Sequence, residues 1–263
     1  MSVDLTRESD RSHVAHLRID FDDLNLFTEA AAHELRTAID SISGDVSVVT
    51  IAADRTEGDE DGVRGLTAGL NLEWARDLSP HDGRELLQTL YRTIQSIREL
   101  DAVVVCGCGD YAIGAGLELA MACEFRVATE DARLGLPEID VGLPTVIHGG
   151  LLIPLVGLQA ATELIYTGET VSGSEAHELG LVNRAVPAST YDETFEDLID
   201  TLAAKSPLVM QLQTQVMRRF RNPGLEAGMA ATSSDIARSF GTHDQQEAMD
   251  AFLEDREPTF EGR

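Results

Sequence analysis

The sequence predicts an α/β core followed by an all-helical tail, and three observations carry that expectation. Short apolar runs, "HVAHLRIDF" (13–21), "DVSVVTIAA" (45–53) and "AVVVC" (102–106), read as strands. Amphipathic stretches with helical spacing separate them. Beyond about residue 190 the strand signals stop, and helical patterns follow one another to the end. At 263 residues the chain fits one large domain or two small ones, with a substantial core. Residues 1–190 are taken as the α/β core and 191–263 as the helical region.

In chain order, "LFTEAAAHELRTAIDSI" (26–42) has apolar residues at helical spacing, with Thr28 placed to cap the helix. "DRTEGDEDGVRGLTAGLN" (54–71) is charged, glycine-rich and too long for a plain connector. "GRELLQTLYRTIQSIREL" (83–100) is an amphipathic helix. "CGCGDYAIGAGLELA" (106–120) reads as a glycine-rich loop leading into a helix over about 114–123, and "EFRVAT" (124–129) as the next strand. "HGGLLIPLVG" and "LQAATELIYTG" look like two short helices, and residues 172–187 like a helix followed by a strand.

Composition excludes several partners. The formal net charge is −26, and Lys205 is the only lysine beside nineteen arginines. Such a surface repels nucleic acid and anionic membrane. Molar salt would screen its self-repulsion to within a few Å, so a salt-accumulating cell is the expected source. The N-terminal "MSVDLTRESDR" has no apolar core of the export type, which sets the expectation of a cytoplasmic protein. Val141 to Thr162 carries no formal charge, but Pro144, Pro154 and four glycines break it, so a buried loop-and-helix segment is preferred to a membrane span. Cys106, Cys108 and Cys123 form no CxxC pair and no His/Cys cluster completes a metal site, so they read as reduced core thiols with no metal.

The glycine-rich loop poses the functional question. Gly107, Gly109 and Ala112 satisfy G-x-G-x-x-G/A after a strand, and Glu130 lies about twenty residues on, as a dinucleotide site would have it. Gly114 and Gly116 then fall in the first turns of the required helix, which argues against an NAD-dependent oxidoreductase. With the helix starting at Gly114 instead, amides near Ala115 stand unpaired at a positive helix end, and Glu118 follows on the same face. Amide donors and a carboxylate facing one site suit acyl chemistry, in which an oxyanion is stabilised and a proton moved.

At this point the residues resemble a known family over almost the whole chain. "DYAIGAGLELAMACEFRVATEDARLGLPEIDVG", "TAGLNL", "GLVNRAVP" and "THDQQEAMDAFLEDREPTF" are similar, in that order, to four motifs of the crotonase or enoyl-CoA hydratase/isomerase family. The resemblance implies a crotonase spiral of ββα units with C-terminal helices that pack in a trimer, possibly paired to a hexamer. It implies a coenzyme A thioester as substrate, with no metal or redox cofactor. It places oxyanion-hole amides on Ala68 and Ala115 and catalytic carboxylates on Glu118 and Glu138. Ala68, Gly69, Leu70, Asn71 and Ala115 would line the substrate path, with Asn71 standing where the family usually has aspartate. The activity implied is reversible syn hydration of a trans-2-enoyl-CoA to a 3-hydroxyacyl-CoA. The rival within the family is Δ3,Δ2-enoyl-CoA isomerisation or another enolate chemistry, and the rival of another class is a non-catalytic subunit of an acyl-CoA enzyme. The chain departs from the family after Glu138, where "GLPTVIHGGLLIPLVG" replaces a pattern like GxxPGxGGTQRL. His148, within that departure, reads as a structural histidine.

Overall fold

The computed structural model describes residues 2–54, 63–221, 242–254 and 256–263. Its centre is one mixed sheet. Strands β1 (Ser2–Arg7), β2 (Val14–Asp20), β3 (Val48–Ala53), β4 (Val103–Ile113), β5 (Phe125–Gly135) and β6 (Thr170–Val171) follow one another across it, and β7 (Arg184–Val186) also pairs with β5. β2 through β5 run parallel, while β1 and β6 are antiparallel to their neighbours.

Both faces of the parallel part are covered, which is why "VVTIAA" of β3 is buried at every position instead of alternating. On one face, Leu17, Ile19, Val49, Ile51 and Val104 pack against helices α1 (Glu29–Asp40), α3 (Pro80–Glu99) and α4 (Ala115–Ala122). On the other, Val48, Val105 and Val127 pack against Phe195, Leu198 and Ile199 of α7 (Tyr191–Ala203). The C-terminal region continues as α8 (Pro207–Arg221) and a last helix, His243–Glu254. Thr28 caps α1 as expected, its hydroxyl accepting the Ala31 N–H at 3.2 Å.

Four differences from the sequence reading have local causes. The expected loop at 106–113 is strand: β4 runs to Ile113, bent by register shifts on either side of Gly109. Gly109 has φ +59°, and a Cβ there would sit 2.0 Å from the Arg64 carbonyl oxygen. Its N–H donates to the Tyr191 hydroxyl at 3.1 Å, and a Cβ on Gly107 would meet that hydroxyl at 2.7 Å. These glycines make a bulge and room for a tyrosine, which accounts for them without the dinucleotide site already argued against. β1, absent from the sequence reading, is an edge strand whose residues are only partly buried or exposed, so it lacks an apolar signature. Asn71 caps a short helix, α2 (Leu72–Ala75), by accepting the Trp74 N–H at 2.9 Å. The expected strand 124–129 continues to Gly135, where it donates the pairing that holds β6.

The two short helices expected near 148–168 are present as a 3-10 turn, Gly149–Leu151, and α5 (Leu152–Thr167), which breaks at Gly157 (φ 81°). Gly149–Thr167 is the stretch, among the described residues, long and apolar enough to cross a membrane, and this break divides it. Between α5 and β7 lies α6 (Gly173–Glu178), closed by a reciprocal Ser172–Glu175 capping box. The segment 55–62, part of the charged stretch singled out above, lies outside the described residues.

Candidate active site

The end of bent β4 and the start of α4 build the site. Gly114, at φ 56° and ψ −127°, turns the chain from strand to helix, a conformation closed to other residues without strain. The Gly114 N–H donates to the Gly135 carbonyl at 2.9 Å, fixing the turn to the end of β5. That leaves the Ala115 N–H at the first turn of α4 without a partner among the described residues. The loop carrying Ala68 and Gly69 is fastened beside it. The Ile113 N–H donates to the Thr67 carbonyl at 3.1 Å, and a Cβ on Gly116 would meet that same oxygen at 2.5 Å. Gly69 (φ +90°) lies so close that a Cβ there would stand 3.5 Å from the Ala115 nitrogen.

Both glutamates open into the same cavity of about 290 Å³. Ala68, Gly69, Leu70 and Ala115 line it with them, so six of the sequence-derived site residues meet in one place. Asn71 does not line it, being occupied with its cap. The Ala68 N–H differs from the sequence expectation of a free donor: it donates to the Leu24 carbonyl at 3.0 Å. Ala115 therefore presents the open amide, and a ligand oxygen at Ala68 would have to share or displace Leu24. The remaining wall is apolar, with Leu72, Leu87 and Leu90 from one stretch of the chain and Val141, Leu143 and Val146 from another. Among the described residues, no lysine, arginine or histidine is part of it.

The carboxylates sit in unequal surroundings. Glu118 is 2% exposed, on a helix whose every residue is buried. Its Oε1 accepts the His148 backbone N–H at 3.0 Å. Burial, then the nearby Glu138 charge, push its carboxyl up to about 8 despite that donor. Glu138 stands on a 3-10 turn, Pro137–Val141, and accepts the Thr145 hydroxyl at 3.1 Å. Burial raises its pKa too, against the pull of its hydrogen bonds. The pair thus holds a proton near neutrality, resting on the more buried Glu118, while two full charges would repel.

Sequence reasoning placed His148 as structural, and it is not part of the cavity wall. Its ring stacks on Tyr91 at 5.0 Å and 17°, and its Nε2 lies 3.2 Å from the Gln95 Oε1. What that reading missed is its backbone N–H on Glu118, a contact to which no side-chain type gives a clue.

An open amide at a helix start, one buried and one half-buried carboxyl of unequal proton affinity and a bent parallel sheet behind them define an acyl-thioester enzyme of the crotonase fold. Comparison with known proteins agrees. The sequence profile described as "Enoyl-CoA hydratase/isomerase" matches residues 10–263. The chain is 28% identical over 235 residues to a short-chain-enoyl-CoA hydratase of Clostridium acetobutylicum, covering 89% of this chain and 88% of that one. It is 31% identical over 252 residues to a probable enoyl-CoA hydratase of Bacillus subtilis, covering 95% of each. The crystal structure of an enoyl-CoA hydratase from Bacillus anthracis superposes with a TM-score of 0.90 at 25% identity, each chain covered in full. The chain belongs to the enoyl-CoA hydratase/isomerase family.

Proposed function

We propose that the chain hydrates trans-2-enoyl-CoA thioesters to 3-hydroxyacyl-CoA. The observation that carries this is the pair Glu118 and Glu138 on one cavity beside the open Ala115 amide. Hydration needs one carboxylate and one carboxylic acid, and the singly protonated pair supplies both. The carboxylate takes a proton from water as the water oxygen bonds to the β-carbon. The electron pair of the double bond moves onto the thioester oxygen, where the Ala115 N–H, joined by Ala68 once Leu24 yields, stabilises the enolate. The carboxylic acid then gives its proton to the α-carbon, so one water is added and the pair's proton count is unchanged. One well-aimed amide is worth roughly 2.7–4 kcal/mol of barrier.

The test is crotonyl-CoA hydration in roughly molar KCl, followed by loss of enoyl-thioester absorbance. Glu118→Gln and Glu138→Gln should each lose about 10²-fold or more. Wild type inactive on short and long enoyl-CoAs alike would end the hydratase reading. The isomerase reading requires a single carboxyl to carry the proton, so full activity of either variant on a 3-enoyl-CoA, with the 2-enoyl product seen by proton NMR, would favour it.

Three further parts of the reading rest on chemistry. The apolar wall, without a cation among the described residues, suits an uncharged acyl chain. The charge of −26 with one lysine suits work in high salt, and a protein that kept its melting temperature on transfer to dilute buffer would refute this. Exposed Leu158, Tyr166 and Leu253 offer apolar surface for the trimer that the family resemblance implies, which a sedimentation measurement would test.

A further inference from the structure

Ile147 has φ 28°, a region that a β-branched residue enters only under strain. Strain of this kind costs about 1–3 kcal/mol and persists only where the surroundings over-determine it. Among those surroundings is the next residue's side chain. The His148 ring, 4% exposed, is stacked on Tyr91 of α3. One turn further along α3, the Gln95 Nε2 donates to the Glu99 Oε1 at 3.0 Å, which turns the Gln95 Oε1 toward His148 as an acceptor. The imidazole is therefore the neutral Nε2–H form, its Nδ1 buried without a hydrogen-bond partner. The consequence of the strained turn is the His148 N–H on the Glu118 Oε1. Gly149 follows without room for a side chain: a Cβ would sit 2.3 Å from the Thr145 methyl and 3.3 Å from the Glu118 Oε1.

We propose that His148 is a positioning residue: its ring, clamped by Tyr91 and Gln95 of α3, holds the strained Ile147–Gly149 backbone so that its amides orient the Glu118 carboxyl and stabilise its ionised form. The inference rests on the reading of Glu118 as an acid–base group. The charged and titratable groups around it are Glu138 from the 3-10 turn and His148 itself, with Arg98 and Glu99 on the α3 side of the ring. Burial and Arg98 hold the His148 ring well below its ordinary range, at about 4, so the ring stays neutral where the enzyme works and its own titration is not the signal. Donated amides favour the carboxylate, so losing them raises the proton affinity of Glu118 and moves the upper pH limit of a singly protonated pair upward.

The experiment is a carbon-13 NMR titration of glutamate-labelled protein between about pH 5 and pH 10, with the Glu118 signal assigned by its absence in Glu118→Gln. It is run on wild type, Gln95→Leu, His148→Leu and His148→Gln, alongside kcat and KM for crotonyl-CoA. Gln95→Leu and His148→Leu should titrate Glu118 about half a unit to one unit higher, with kcat down about tenfold and KM within about twofold. His148→Gln, which can still donate to Gln95, should recover most of the wild-type titration. Because the titration needs no turnover, an inactive wild type would end the hydratase reading while the shift would still support the clamp. Gln95→Leu, which leaves the ring and its stack in place, decides the matter if His148→Leu does not fold. Folded Gln95→Leu with Glu118 titrating as in wild type, at unchanged kcat, would overturn the proposal and leave His148 as packing.

Discussion

The two walls that carry the glutamates are built in opposite ways. Glu118 sits on α4, a helix buried on all sides, anchored by Gly114 to the ends of β4 and β5. Glu138 sits on a 3-10 turn at the lip, followed by Val141, Leu143 and Val146, all more than 40% exposed. The first wall is backbone geometry imposed by the sheet, and side chains have little freedom in it. The second is a surface segment whose shape depends on what it touches. On the proposed reading, rigid core holds the oxyanion amide and the proton while the exposed lip shapes the acyl end, a division that lets chemistry and substrate choice be set by different parts of the fold.

If that contrast is right, the largest effect short of removing a carboxylate should come from the strand–helix turn. Gly114→Ala places a side chain at φ 56° with its Cβ 3.1 Å from the Glu138 Oε1. We expect about 10²- to 10³-fold lower kcat, the worth of a lost oxyanion donor, with the far-ultraviolet circular dichroism unchanged. Gly142→Ala is the matched change on the lip: φ is again positive (78°), but no atom lies within 4 Å of the new Cβ. It should cost no more than about 1–2 kcal/mol of stability and little kcat. Equal kinetic damage from the two would break the comparison.

The buried wall should also leave its mark on stability. The Glu118 carboxyl is raised to about 8 from the ordinary 4.5, so the fold favours its protonated form. The associated stability is fully present below the ordinary carboxyl range and is lost as pH climbs through about 8. Glu118→Gln mimics the neutral acid and should gain on wild type across that window, by on the order of 2 kcal/mol after allowance for coupling to Glu138. Thermal melts in high salt at about pH 5 and about pH 9 measure it. A stability difference independent of pH would mean that Glu118 is ionised throughout and that its wall is wetter than its burial implies.

The same division explains what could be read from the sequence. Glu118 and the helix start were legible because glycines at 114 and 116 follow a strand, a local pattern with a local cause. Gly107 and Gly109 match a dinucleotide fingerprint only on paper, for the mirror reason: glycine reports a missing side chain, not why it is missing. A phosphate cradle and the Tyr191 hydroxyl both need bare backbone, and Tyr191 stands 82 residues away from Gly109 in the chain. β1 was silent because an edge strand of half-buried residues has no period to detect. The turn at Ile147 and His148 fall in the segment where the chain departs from the family, but nothing local points to the contact of His148 with Gln95, 53 residues earlier. Local rules recover elements and motif residues, whereas the contacts that set proton affinity are long-range.

The smallest expected effect probes the lip itself. Leu72, Leu87 and Leu90 line the cavity together with Val141, Leu143 and Val146, with Leu72 46% and Leu87 37% exposed. Full burial of a methylene is worth about 0.8 kcal/mol, close to a fourfold gain in kcat/KM, and half-open walls reduce that. We therefore expect a rise of about twofold per methylene from four-carbon toward eight-carbon enoyl-CoAs, levelling where the chain leaves the walls. An acyl group of the same length ending in a carboxylate should instead fall below the four-carbon substrate. Its charge would enter an apolar space that, among the described residues, has no cation in its wall and already contains an ionised glutamate. Measuring kcat/KM along the series separates the walls, because a methylene reaches only the lip whereas the thioester reaches only the core. A flat series, with the carboxylated substrate turned over as well as the rest, would mean that the acyl chain does not pass between these residues. The lip would then have no part in substrate choice, and its apolar exposure would have to be explained by a protein partner instead.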